Sequence, residues 1–240
     1  MTSVIERRTV RADGPEKVTG SGRYTADLTF TGMLYAKLRY AGIPHGRITR
    51  IDTAAAKAMP GVFAVLTQED VPDVHYGAYI KDRTLFARDI VRYEGEIVAA
   101  VAALSPELAQ AAADAIEVDI EPLPAVNDME AALAPGATQV HEGWESYEAD
   151  EALERRPNNA SFSSIEFGDI DAGMAEADEI VASRYVADAS HAVPIEPRAI
   201  VAQWQGEKLT VWSSTQVPFD TRSGLAETPV SYTHLRAHET

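Results

Sequence analysis

The sequence predicts a mixed chain of helices and strands, α/β or α+β in class, laid out in two units. Three observations predict it. Strand-like and helix-like stretches alternate from about residue 18 to residue 126, the pattern of a compact unit with a sheet and covering helices. The composition then turns acidic and proline-broken from 127 to 159. A second set of elements begins near residue 160 and closes on two apolar runs joined by a glycine turn. At 240 residues, with 45% apolar content, the chain is long enough to bury a core.

Each element has its own signal. Residues 1–17 are polar and charged, with Gly14-Pro15 as a turn signal, and read as an extended arm. The glycines at 20 and 22 complete no phosphate-binding fingerprint and read as a structural turn. Residues 33–40, MLYAKLRY, are rich in β-formers and read as a strand. Asp52 or Thr53 is placed to cap a short alanine-rich helix that Pro60-Gly61 stops. Residues 62–66 read as a buried strand. Residues 97–104, IVAAVAAL, are apolar on both faces and so belong at the centre of a sheet. Ser105-Pro106-Glu107 starts a helix that runs through Ala115: a cap, a first-turn proline, then an acid toward the positive end of the dipole. Ile116, Val118 and Ile120 alternate with Glu117, Asp119 and Glu121, a half-exposed strand.

In 127–159 the carboxylates of Glu142, Glu145, Glu148, Asp150, Glu151 and Glu154 crowd together. They lack calcium-loop spacing and read as the solvated face of an acidic linker or wrapping segment. Beyond 160, Asp171 is placed to cap a helix through Ala177, and 179–187 reads as a strand. Residues 193–204 and 209–212 read as two strands joined at Gly206-Glu207, and Pro218 starts a last helix. The final SYTHLRAHET (231–240) shares no pattern with what precedes it and resembles a translated sequencing-adaptor read-through. Residues 229–240 are therefore expected to be non-native.

The formal net charge of −16 argues against nucleic-acid and anionic-membrane partners, which would repel it. There is no cysteine, so the chain offers no disulfide, thiolate zinc site, iron–sulfur cluster or cysteine nucleophile. With no signal-peptide pattern and no apolar run long enough for a bilayer, a cytoplasmic protein is expected. His45, His75, His141 and His191 form no ligand pattern and read as hydrogen-bonded structural histidines. No GxSxG elbow is present, so no catalytic residue and no metal ligand is assigned.

One polar cluster stands out. Ser213, Ser214, Thr215 and Gln216 follow one another at the end of a strand, just before Pro218. Two readings fit. The hydroxyls can cap the turn into the next helix, or the cluster can face a ligand, for which the donor-and-acceptor amide of Gln216 suits an uncharged, oxygen-rich group.

Seven stretches, in order, resemble the N-terminal part of the molybdopterin-binding large subunit of the xanthine dehydrogenase/aldehyde oxidase family. They are DGPEKVTGSGRYTADL (13–28), PHGRI (44–48), PGVFAVLT (60–67), LFARDIVRYEGEIVAAVAA (85–103), EVDIEPLPAVND (117–128), IEPRAIVA (195–202) and TVWSSTQVPF (210–219). The resemblance implies an α+β class: an α/β hammerhead domain over 18–126, then an incomplete α+β molybdopterin-binding domain over 160–228. It implies that Gln216 binds the cofactor by hydrogen-bonding the apical oxo ligand of molybdenum. Glu196, within Ile195-Glu196-Pro197, is expected to be structural.

The family's chemistry is hydroxylation of an electron-poor carbon with oxygen from water. The resemblance thus implies a small-molecule substrate, a purine, N-heteroaromatic or aldehyde, and a molybdenum–molybdopterin cofactor. It further implies [2Fe-2S] and FAD centres on an iron–sulfur small subunit and an FAD-binding medium subunit, with which zero cysteine agrees. The stretch 76–87 resembles the purine and heteroaromatic branches more than the carbon monoxide branch. The family's GGxFGxK segment and its glutamate base do not occur, so a truncated reading frame, inactive alone and unable to hold the cofactor, is expected. The alternative is a non-catalytic acidic assembly module that uses the hammerhead as a docking surface.

Overall fold

The computed structural model describes residues 11–151 and 153–227. They form two compact units, residues 11–33 with 192–227 and residues 34–191. The adaptor-like tail lies outside the described residues.

The first element, α1 (Gly14–Thr19), belongs to the smaller unit. Gly14-Pro15 opens a helix here, not a turn in an extended arm, because proline's fixed φ and missing N–H suit a first helical turn. Asp13, the N-cap residue, pairs with Arg11 and, 2.7 Å away, with Lys17. The hydrogen bond from Arg11 above all holds the Asp13 carboxyl down at about 2. The helix stops at Gly20, so the glycine pair is a structural turn, as read from the sequence.

The larger unit opens with β1 (Tyr35–Tyr40), β2 (Gly46–Asp52), α2 (Ala54–Lys57) and β3 (Val62–Thr67). Then come β4 (Ile90–Val91), β5 (Ile97–Ala103), α3 (Pro106–Asp114) and β6 (Glu117–Pro122). Two antiparallel three-stranded sheets result, in the orders β1-β5-β3 and β4-β2-β6. As its apolar run predicts, β5 is central, and its two faces feed two cores. Ala99 and Val101 pack with Ala56, Val65, Ala112, Ala113 and Ile116, joining α2, β3 and α3. Val98 packs with Ala87 and Val91 on the other side. The alanines of α3 let the helix backbone come close to the sheet without voids. Ser105 caps α3 as expected, its Oγ accepting from Leu108 N at 3.2 Å. Asp52, not Thr53, holds the start of α2 through Ala54 N at 2.9 Å.

Strand β2, GRITRID, escapes sequence reading for a physical reason. Its apolar residues Ile48 and Ile51 are three apart, which breaks strand alternation. The register against β6 shifts between Ile48 and Arg50, and that bulge brings both side chains against the same core. Gly46 is demanded at the strand's start: a Cβ there would lie 2.5 Å from Ile120 Cγ2 and 2.9 Å from Glu121 O. Buried His45 is structural, as expected, with Nδ1 bonded to Pro124 O at 2.7 Å.

The stretch read as a linker is folded. It contains α4 (Met129–Leu133), a 3₁₀ turn at Trp144–Ser146 and the hairpin of β7 (Glu154–Arg156) with β8 (Asn159–Phe162). Asn158, left-handed at φ 55° in the hairpin turn, ties it down. Its Nδ2 donates to Ala132 O at 3.0 Å and Thr138 O at 2.9 Å, and its Oδ1 accepts from Val140 N at 2.9 Å.

Helix α5 (Ile170–Glu176) is capped by Asp169, whose Oδ1 accepts from Ala172 N at 2.9 Å, not by Asp171. Residues 179–187 are not a strand: among the described residues no neighbour offers them a ladder, and Val181 and Tyr185 stand 85% and 91% exposed. A β-prone run without a pairing partner leaves its backbone groups to water.

The smaller unit ends in β9 (Ile200–Gln205), β10 (Lys208–Ser213) and α6 (Pro218–Glu227). The strands pair antiparallel around Gly206-Glu207, and Gly206 at φ 61° supplies the first central residue of a type II′ turn. Strand β9 begins at Ile200, because Pro194 and Pro197 keep the preceding residues out of a ladder.

Candidate functional site

The end of β10 carries the polar cluster, and the structure commits two of its four side chains, those of Ser214 and Thr215, to local hydrogen bonds. Ser214 is structural. Its Oγ accepts from Ala199 N at 2.9 Å and its own N–H donates to Ala199 O at 3.1 Å, which prolongs the hairpin by one rung. Thr215 caps the turn into α6, since its Oγ1 accepts from Val217 N at 3.2 Å and meets Thr221 Oγ1 at 3.1 Å. Trp212, one residue before the cluster, is packed on Phe30 with ring centroids 5.0 Å apart. These contacts fix the backbone on both sides of Gln216.

Gln216 itself is exposed, and its carboxamide makes no hydrogen bond among the described residues. A side chain whose neighbours are all committed, and which is itself uncommitted, presents two donor hydrogens and one acceptor to whatever approaches. Glu196 lies in a bend ahead of β9 and is exposed, with Ile195 fully so. The described residues hold no group of three or more His, Cys, Asp or Glu placed to bind a metal, and no described helix is long and apolar enough to cross a membrane.

The larger unit holds a second feature that sequence reasoning missed, a cavity of about 470 Å³ within the stretch read as a linker. Its walls include Met129, His141, Trp144, Tyr147 and Arg155. The signal was present as His141, Trp144 and Tyr147 at spacings of three, masked by the carboxylates between them. Tyr147 organises the aromatic wall: its hydroxyl meets His141 Nδ1 at 3.1 Å, the two rings stand edge to face, and His75 lies 5.5 Å from its ring. Burial, with Arg92 nearby, pushes the His141 imidazole below its ordinary pKa.

A mixed α+β chain with two small antiparallel sheets, a packed helix and a separate hairpin ending in an uncommitted amide defines the class. Comparison defines the family. Residues 19–124 match the aldehyde oxidase and xanthine dehydrogenase a/b hammerhead domain, and residues 152–231 match the molybdopterin cofactor-binding domain. The chain is similar to the nicotinate dehydrogenase large molybdopterin subunit of Eubacterium barkeri, 34% identical over 225 residues, covering 93% of this chain and 50% of that protein. It is similar to the nicotine 6-hydroxylase large subunit of Paenarthrobacter nicotinovorans, 32% identical over 228 residues, covering 90% and 26%. Among solved structures, quinoline 2-oxidoreductase from Pseudomonas putida 86 superposes with a TM-score of 0.79 at 31% identity, over 97% of this chain and 30% of that one. The chain belongs to the xanthine dehydrogenase/aldehyde oxidase family, within its molybdopterin-binding large subunits. It spans half or less of the length of these relatives.

The amide is chemically able to donate to a metal-bound oxygen, and Gln216 offers an unpaired N–H₂ on a backbone pinned by Ser214 and Thr215.

Proposed function

We propose that this chain is the front part of the molybdenum-cofactor subunit of a molybdenum hydroxylase, with its hammerhead domain over 18–126 and its cofactor domain beginning near 160. Its substrate is a small molecule with an electron-poor carbon: a purine, an N-heteroaromatic compound or an aldehyde. Three similar proteins named for nicotinate, nicotine and quinoline favour the heteroaromatic class. Its electrons pass to [2Fe-2S] and FAD centres on an iron–sulfur small subunit and an FAD-binding medium subunit. Zero cysteine supports that division of labour, and supports a cytoplasmic setting.

The observation that carries the reading is the uncommitted carboxamide of Gln216, standing within the residues matched by the cofactor-binding domain. When bound, the cofactor supplies a two-electron centre with an oxo group. This chain supplies positioning. Gln216 Nε2 would donate to that oxygen, while Ser214 anchors the strand end to Ala199 and Thr215 fixes the turn that follows. A donor placed in advance lowers the barrier where negative charge grows on oxygen, and does so without reorganising during the reaction.

The test is Gln216→Ala in the assembled enzyme complex, read by molybdenum content and by turnover of nicotinate, quinoline and hypoxanthine. Molybdenum content is expected to hold, while kcat falls on the order of 10²-fold. Unchanged turnover would remove Gln216 from the site, and an assembled complex free of molybdenum would remove the function.

A further inference from the structure

The cavity of the larger unit has no part in the molybdenum reading, and its lining describes a ligand of its own. Its walls are mostly apolar or aromatic, among them Ile80, Val126, Met129, Val140, Trp144 and Tyr147. Its volume of about 470 Å³ lies in the ordinary range for small-molecule sites. The polar groups sort into those already occupied and those left over. Asn158 spends both amide hydrogens and its carbonyl on Ala132, Thr138 and Val140. Asp128 caps α4 through Ala131 N at 2.7 Å. Arg156 pairs with Glu154 at 2.6 Å and lies over the Phe162 ring. His141 is bonded to Tyr147, and its lowered pKa leaves it uncharged near neutral pH.

Among the half-buried charges of the lining, two keep unused polar atoms, one of each sign. Asp82 is half-buried and makes no hydrogen bond or ion pair among the described residues. Arg155 is half-buried. One of its nitrogens donates to Trp144 O at 2.8 Å while the guanidinium lies 5.9 Å from the Trp144 ring centroid, and its other donors are unused among the described residues. The two do not pair with each other. Neither charge is spent on the other, so a cavity lined by one of each sign is complementary to a molecule that brings both.

We propose that this cavity binds a small zwitterionic aromatic molecule of the α-amino-acid class. The ring lies against Trp144 and Tyr147, the carboxylate meets Arg155, and the ammonium meets Asp82. Trp144 and Tyr147 supply flat area that is already fixed, and Arg155 offers the forked donors that suit a carboxylate. The inference stands independently of the molybdenum reading, because none of its residues belongs to the hairpin that carries Gln216.

The test uses the full 240-residue chain and three probes: L-phenylalanine, 3-phenylpropanoate without the ammonium, and 2-phenylethylamine without the carboxylate. Calorimetry and tryptophan fluorescence are expected to show saturable one-to-one binding of phenylalanine, with each single-charge probe weaker by about tenfold or more. Arg155→Gln should bring phenylalanine down to the level of phenylethylamine, and Asp82→Asn should bring it down to that of phenylpropanoate. Each variant is also expected to keep saturable binding of the probe that lacks the deleted contact, phenylethylamine for Arg155→Gln and phenylpropanoate for Asp82→Asn, whereas a general loss of fold abolishes all three. Absence of saturable binding, equal affinity for all three probes, or a ranking unmoved by either variant would each overturn the proposal.

Discussion

Asn158 shows how much one side chain can hold. It sits in the β7–β8 turn at φ 55°, where asparagine is tolerated better than most residues, and three hydrogen bonds tie α4 and its exit to the hairpin. Asn158→Ala keeps the β-carbon but loses the bonds and asparagine's better tolerance of a left-handed backbone, and is expected to cost about 2–3 kcal/mol by urea unfolding. Asn158→Gly loses the same bonds but also relieves the β-carbon of its left-handed backbone, so it should lose less than the alanine variant, about 1–2 kcal/mol. Wild-type stability for the glycine variant would show that those bonds contribute no more than that relief. Glu96 gives a prediction with a sign. Burial raises its carboxyl pKa against the weaker pull of Arg92, whose backbone N–H it accepts. The folded protein therefore keeps the proton to higher pH than the unfolded chain does, and stability falls as pH rises through the interval between the two pKa values. Glu96→Gln cannot ionise and retains an oxygen for Arg92. Its unfolding midpoint should match wild type near pH ~4 and exceed it toward pH ~7. A variant that loses ground as pH rises would mean that the ionised carboxylate is stabilising. At this scale the sequence was legible only where chemistry is self-announcing. The amide of Gln216 could be singled out from its residue type, whereas the roles of Asn158 and Glu96 depend on partners far along the chain or on burial.

Elements were legible where local and tertiary signals agree. Helix α3 has its cap, its first-turn proline and an apolar face, and β5 has no polar position to orient it, so both follow from the sequence alone. Strand β2 shows the opposite case. Its bulge serves packing against β6, and no local rule in GRITRID announces it. The run 179–187 shows the reverse error, since β-prone residues were present but a ladder needs a second strand. Gly46 tests the packing of β2 directly. A β-carbon there would meet Ile120, Ile43 and the Glu121 carbonyl at once, and backbone oxygen cannot rotate away as a side-chain tip can. Gly46→Ala is expected to destabilise by about 1–3 kcal/mol in urea unfolding. A shift within about 0.5 kcal/mol would mean that β2 moves aside freely and that the sheet is less firmly packed than its buried glycine implies.

Across the whole molecule, order and exposure divide sharply. Residues 34–122 hold both three-stranded sheets and both buried clusters. Residues 163–199 contain one short helix and no strand, with Ile165, Phe167, Tyr185 and Ile195 at least 91% exposed. The acidic stretch between them misled sequence reading because charge density there marks one face only, while Val140, His141, Trp144 and Tyr147 turn inward. This distribution predicts where the chain opens. A protease needs several extended residues in its cleft, so cleavage follows the free energy of local opening, which is smallest where backbone hydrogen bonds and buried contacts are few. Arg184 and Arg198 are the trypsin sites in the exposed stretch. The surface pair Arg184–Glu130, at 2.6 Å with both side chains 73% exposed, adds too little to protect its bond. Trypsin at low ratio is therefore expected to cut after Arg184 at least about tenfold faster than after Arg39, Arg47, Arg50 or Lys57, and after Arg198 more slowly than after Arg184, because Ala199 is bonded to Ser214. Intact-mass analysis should find a lasting fragment that carries both sheets and the Asn158 hairpin. Early cuts inside β1 or β2 would show that opening free energy does not follow burial in this chain, and that 163–199 is held by something other than its own contacts.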